Sequence, residues 1–201
     1  METEAFLKVY SDKLGDIREI ISYLQLFEQA YNHLYALELI IQDAKMRHAE
    51  LNEDSWKKKP VKTIISVRKP NQVILPEDRL RIHRIAIKSP GFWEFFGNIN
   101  PLEVLRKYLC DRHERKKDEA YRNRLEEERG ELENEKLRTQ VVEENVKILK
   151  ELGVPEEKIR KAIFEHVIKP LGALDNFQDK GFATNAKLIS EGTSSEHKDE
   201  D

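Results

Sequence analysis

No proline interrupts residues 102–154, and up to Leu152 the only glycine in that span is Gly130. The stretch is dominated by Glu, Lys, Arg and Leu. A run of strong helix formers this long has helix as its only regular option, and one interior glycine costs only about 1 kcal/mol. Asn100-Pro101-Leu102-Glu103 signals the start, with a capping residue, a proline at the first helical position and an acid at the third. A helix over 101–152 would measure ~78 Å at ~1.5 Å per residue. Its first turns carry Leu102, Val104, Leu105, Tyr108 and Leu109, which suit a folded head. The charged remainder is too long to be buried in the core of one chain.

Composition agrees with a small head and an extension. Charged residues are 36% of the 201 and hydrophobic ones 39%, where ordinary domains carry roughly 25% charge. The net charge of −3 points neither to a general nucleic-acid binder nor to an acidic-tail protein. The charge is uneven. Residues 51–90 hold ten Lys/Arg against four Asp/Glu, and residues 1–50 hold five against nine. Cys110 is the only cysteine, which excludes an internal disulfide framework. METEAFLKVYSDK lacks the apolar segment of a signal peptide, and no run of about 18 apolar residues occurs. The expectation is a cytoplasmic protein without a transmembrane segment.

The head is expected to be α+β over residues 1–110, with about three strands and two to three helices. AFLKVY reads as a first strand, with Phe6 and Leu7 starting a core. A helix follows from about Asp16, which caps it, with Glu19 three residues on. Its face runs Ile17, Ile20, Ile21, Leu24, Phe27, Tyr31, Leu34, Tyr35, and it is expected to end near Ala44. Residues 45–60 lose periodicity and read as a flexible loop. VKTIISVRK alternates as a strand at 61–69, and RLRIHRIAIK is another. In the latter Leu80 and Ile82 have one parity and Ile85 and Ile87 the other. Either both faces are covered or a bulge near His83–Arg84 resets the phase.

Ser89-Pro90-Gly91 reads as a helix start for a short aromatic helix with Phe92, Trp93, Phe95 and Phe96, ended by Gly97. This cluster is expected to pack between sheet and long helix, with Trp93 left exposed as an interaction candidate. At the far end Gly153-Val154-Pro155 reverses the chain. A return helix over 153–180 lays Ile159, Ile163, Val167 and Leu171 on Val142, Val146, Leu149 and Leu152. Residues 181–201 are polar at the end and read as a disordered tail.

The segment LRIHRIAIKSPGFWEFFGNINPLEVLRKYLCDRHERKKDEAYR resembles a family of uncharacterised bacterial proteins. They share the strand, the Ser-Pro-Gly turn, the aromatic segment, the Asn-Pro-Leu-Glu cap and the basic Asp-Arg-His-Glu-Arg run. The resemblance spans residues 75–180. It implies a common fold and a bacterial origin, and it carries over no activity and no catalytic residues.

No arrangement of residues points to catalysis. Cys110 and His113 share a helix face, but no third group orients them. No histidine pair has zinc-helix spacing and no CxxC occurs, and no glycine-rich nucleotide loop occurs. Catalytic, metal and cofactor residues are therefore expected to be none. The leading expectation is a non-enzymatic, oligomerising scaffold, a weak coiled coil through Tyr121, Leu125, Leu132, Val142, Val146 and Leu149 that also meets a protein partner. Residues 106–124 hold eight Lys/Arg against four Asp/Glu and residues 126–151 five against nine, so an antiparallel partner is favoured. The alternative is a recognition module binding nucleic acid or an anionic surface through Lys62, Arg68, Lys69, Arg79, Arg81 and Arg84. Its weakness is a lack of surface aromatics between the basic strands. A second alternative is membrane-surface association through the aromatic helix.

Overall fold

The computed structural model describes residues 4–13, 15–53, 70, 74–121, 143 and 145–189. They form a mixed α+β fold around one antiparallel four-stranded sheet. Its strands are β1 (Glu4–Ser11), β2 (Arg81–Ala86), β3 (Gly91–Asn98) and β4 (Asn185–Ile189), in the order β2-β3-β1-β4. Helix α1 (Ile17–Glu53) follows β1 and helix α2 (Ile99–Tyr121) follows β3. Among the described residues this is the connectivity of split βαβ, ferredoxin-like folds. β1 lies centrally, in register with β3 (Leu7 with Phe95, Val9 with Trp93) and with β4 (Val9 with Ala186).

Alternation decides which side is buried. Ala5, Leu7, Val9, Trp93, Phe95 and Ala186 point into the core, where the helices cover them. Phe27 of α1 stacks on Phe95 with centroids 4.2 Å apart, and Tyr23 meets Phe27, Trp93, Phe177 and Phe182 within 5.8 Å. Asp16 Oδ1 accepts the Glu19 N–H at 2.9 Å, the expected cap. The buried stripe of α1 begins later than its periodicity suggested: Ile17 and Ile21 are exposed, and Tyr23 is the first ring sealed in. The helix also runs past Ala44 to Glu53, so residues 45–53 are not the expected loop.

The aromatic segment is a strand, not a helix. Ser89-Pro90 is a cis peptide at the β2–β3 turn. A side chain at Gly91 would strike the Ala86 and Lys88 carbonyl oxygens at 2.4 Å. Gly97 does not end a helix. It admits the ring of Tyr31, whose hydroxyl would lie 2.8 Å from an added Cβ. That hydroxyl accepts the Asn98 N–H at 2.9 Å and donates to the Asp78 carbonyl at 3.0 Å, tying α1 to the sheet. The cap of α2 is Asn98, whose Oδ1 accepts the Asn100 N–H at 3.0 Å, not Asn100 itself. In β2 the register shifts between Ile82 and Arg84, so His83 is the bulge that resets the phase.

Helix α3 (residues 145–151) ends in a Schellman turn: Val154 N–H donates to Leu149 O and Gly153 N–H to Lys150 O, with Gly153 at φ 72°. α4 (Glu156–Ile163) follows and buries Ile159, Ala162 and Ile163. A π turn at Phe164–Ile168 leads into α5 (Lys169–Gly172). Pro170 has no N–H for the His166 carbonyl, and Lys169 N–H bonds five residues back to Phe164 O, which widens the turn. α6 (Asp175–Asp179) precedes β4. Arg112 of α2 pairs with Asp175 at 3.2 Å and Asp179 at 2.5 Å, and Gln178 Nε2 donates to Leu109 O at 3.0 Å. These ties deliver β4 to the sheet edge. Residues 185–189 are thus a strand, not part of a disordered tail, and the sheet is not closed by residue 110.

The long arm is corrected in part. Val104 of α2 and Ile148 of α3 line one groove. In a single straight helix the 44 residues between them would hold them ~66 Å apart at ~1.5 Å per residue. Residues 101–152 are therefore not one straight helix. Residues 122–142 and the expected strand at 61–69 lie outside the described residues, as do 190–201.

Candidate functional site

The opposite face of the sheet carries a second set of aromatics. Phe6, Lys8 and Tyr10 of β1 share it with Phe96, Glu94 and Phe92 of β3, paired in that order by the strand register. β2 adds Arg81 beside Phe96 and Arg84 beside Glu94, and β4 adds Lys187 beside Lys8. None of Phe6, Tyr10, Phe92 and Phe96 belongs to the hydrophobic core, and none packs against it. Tyr10 is 37% exposed, and Phe6, Phe92 and Phe96 are half-buried against one another and their neighbours.

The rings form a connected surface. Phe6 lies 4.9 Å from Phe96, centroid to centroid, and 4.8 Å from the His83 ring, which it meets edge-on. Lys8 Nζ sits 4.0 Å over the Phe92 ring and 5.6 Å from that of Tyr10. His83 Nε2 lies 3.6 Å from Glu94 Oε1. The bulge is what turns His83 onto this face. Flat apolar rings interleaved with lysine and arginine can stack planar groups and neutralise phosphate.

Of the basic candidates, Arg79, Arg81 and Arg84 are exposed on β2 or just before it, and Arg81 Nη2 donates to Glu77 O at 3.0 Å. Lys62, Arg68 and Lys69 lie outside the described residues. Trp93 is 5% exposed and belongs to the core, so it is not an exposed interaction residue. The reason is parity: on a strand, 93 and 95 face one way and 92 and 96 the other. This also removes the amphipathic helix on which membrane-surface association rested. Tyr121 is the last residue of α2, and Leu125, Leu132 and Val142 lie outside the described residues. Leu149 is fully buried in the chain's own core and Val146 packs against it, so neither is a surface seam. The reading of residues missed Phe6, Lys8 and Tyr10 as a set, although AFLKVY alternates and places them on one side.

Three other places were candidates. His33 of α1 and His166 of the π turn bring their Nδ1 atoms to 3.2 Å. Burial depresses both, His33 to about 4, with His166 and Lys169 adding to it and Glu165 opposing. A groove of about 760 Å³ lies between α1, α2 and α3, with an apolar floor of Leu37, Ile41, Val104 and Ile148. Cys110 Sγ contacts Ala186 O at 3.1 Å and joins α2 to β4. No cluster of three metal-ligating side chains occurs among the described residues, and no described helix is long and apolar enough to cross a membrane.

No protein-family model, curated protein or solved structure matches the chain.

Proposed function

We propose that this protein binds single-stranded nucleic acid across the open face of its sheet. The observation that supports this reading is the aromatic set Phe6, Tyr10, Phe92 and Phe96 on the two central strands, outside the core and interleaved with Lys8, Arg81, Arg84 and Lys187. A four-stranded sheet offering rings for stacking is an established mode of single-strand recognition. Each stacked base is worth roughly 1–3 kcal/mol, and every base has a face to stack. Among the described strand residues the four cations share their side with two acids, Glu4 and Glu94, so this part of the sheet is positive although the chain is not. The aromatics that the basic strands lacked in sequence are supplied by neighbours in the sheet.

Self-association through residues 122–142 has no comparable observation behind it.

The test is fluorescence anisotropy with labelled eight-nucleotide RNA and DNA. Binding is expected with a log–log salt slope of about −2 to −3, as three or four phosphates at ~0.7 each require. Phe6→Ala/Phe96→Ala should weaken it at least tenfold with the fold intact. No binding at low salt, or equal binding by the double variant, overturns the proposal.

A further inference from the structure

Glu94 lies in the middle of the stacking stripe, between Phe92 and Phe96 on the same side of β3. Its side chain is 14% exposed. Two cations stand in register beside it, yet neither holds it. Lys8 directs its ammonium to the Phe92 ring, and Arg84 makes no ion pair with it among the described residues. Its one ion-pair partner among the described residues is His83 at 3.6 Å, longer than a hydrogen bond. A carboxylate accepts through two oxygens and donates nothing. The Glu94 side chain is not sealed, and its carboxylate opens onto a face that carries planar rings, with capacity for donors from a ligand.

Resting on the proposed single-strand binding, we infer that Glu94 selects guanine. A base stacked on Phe96 swings its Watson–Crick edge over the neighbouring position on that face, because residues two apart on a strand are about 6.7 Å apart. A carboxylate needs two donors side by side to be satisfied at both oxygens. Guanine alone presents them, as N1–H and the N2 amino group. Adenine and cytosine place a ring acceptor next to their amino group, and uracil flanks its single N–H with two carbonyls. Each of those three therefore turns at least one acceptor toward an acceptor. Lys8 and Arg84, flanking the same position, are left for the phosphates on either side.

The experiment measures anisotropy on four eight-nucleotide RNAs, identical uridine tracts with G, A, C or U at one central position. Wild-type protein is expected to bind the G-containing strand about tenfold tighter than the others, as a bidentate base contact provides. Glu94→Gln, which replaces one acceptor by a donor at the same size, should bring the four strands within about twofold while all-uridine binding is retained. Glu94→Ala should do the same, and thermal melting checks that both variants are folded. A wild-type protein that ranks the four strands alike, while Phe6→Ala/Phe96→Ala still loses them all, overturns guanine selection and leaves the platform standing. A Glu94→Gln variant that keeps the G preference also overturns it. Failure of every strand to bind wild-type protein removes both readings.

Discussion

The two faces of β3 hold the same residue types and have opposite fates. Trp93 and Phe95 are sealed against α1 and the C-terminal helices, where Phe27 stacks on Phe95 and Tyr23 meets Trp93 at a tilt. Phe92 and Phe96 stand outside the core beside lysines and arginines. Aromatic content therefore says nothing by itself about core or surface. Strand parity, together with which side the helices take, assigns one pair to stability and leaves the other for recognition.

The largest effect should come from the inner face. Phe95→Ala is expected to cost about 3–5 kcal/mol and to lower the melting temperature by roughly 10 °C. Phe92→Ala/Phe96→Ala should cost under about 1 kcal/mol while binding falls at least tenfold. If calorimetry shows the outer pair to be as costly as the inner residue, the contrast between the faces is false.

Gly97→Ala probes the contact that fixes which side is inner. The added methyl would meet the Tyr31 hydroxyl at 2.8 Å and displace its bonds to Asn98 and Asp78. A loss of about 1–3 kcal/mol is expected in urea denaturation. A variant as stable as wild type would show that Tyr31 does not clamp α1 to the sheet.

Acid should loosen the inner layer through His33 and His166. Both are neutral when folded at neutral pH, with folded values below the ordinary 6.5. The unfolded chain takes up protons first, so stability is full above about pH 6.5 and falls as pH drops towards 4, where His33 also protonates. The loss is expected to be about 1–2 kcal/mol after screening of the half-buried His33. In His33→Gln/His166→Gln the melting temperature should vary less over that range. An unchanged pH profile in the double variant would assign the acid sensitivity elsewhere.

The smallest effect sharpens the outer face. Arg84→Ala/Lys187→Ala should leave melting unchanged, weaken oligonucleotide binding severalfold and reduce the salt slope by about 1.4, two phosphates at ~0.7 each. A slope identical to wild type would mean that these cations do not meet phosphate.

Much of the candidate site was written in the chain without being readable as a site. Arg79, Arg81 and Arg84 were legible as a basic strand, and the phase break between Ile82 and Ile85 allowed either two covered faces or a bulge near His83–Arg84, of which the strand has the bulge. Phe92, Trp93, Phe95 and Phe96 were misread because aromatics at i, i+1, i+3 and i+4 after Ser-Pro satisfy a helix start as well as they satisfy a strand buried on one face. Nothing local separates the two; the hydrogen bonds that decide are made to β1 and β2.

The sequence by itself determined the features that close within a few residues. These are the Asp16 cap, the Gly153 Schellman turn, and the apolar stripe of Ile159, Ile163 and Val167. Each rests on a bond or a periodicity spanning one or two turns, so the residues that cause it are adjacent to it. Tertiary structure alone decided the rest. β4 pairs with β1 across almost the whole chain, and five residues, Asn185–Ile189, carry no pattern strong enough to announce that partner. The charge asymmetry after Arg106 asked for a partner helix. For the described residues, α2 and α3 of the same chain line one groove. The open face exists because all described helices gather on one side of the sheet, a global packing outcome that no single strand encodes.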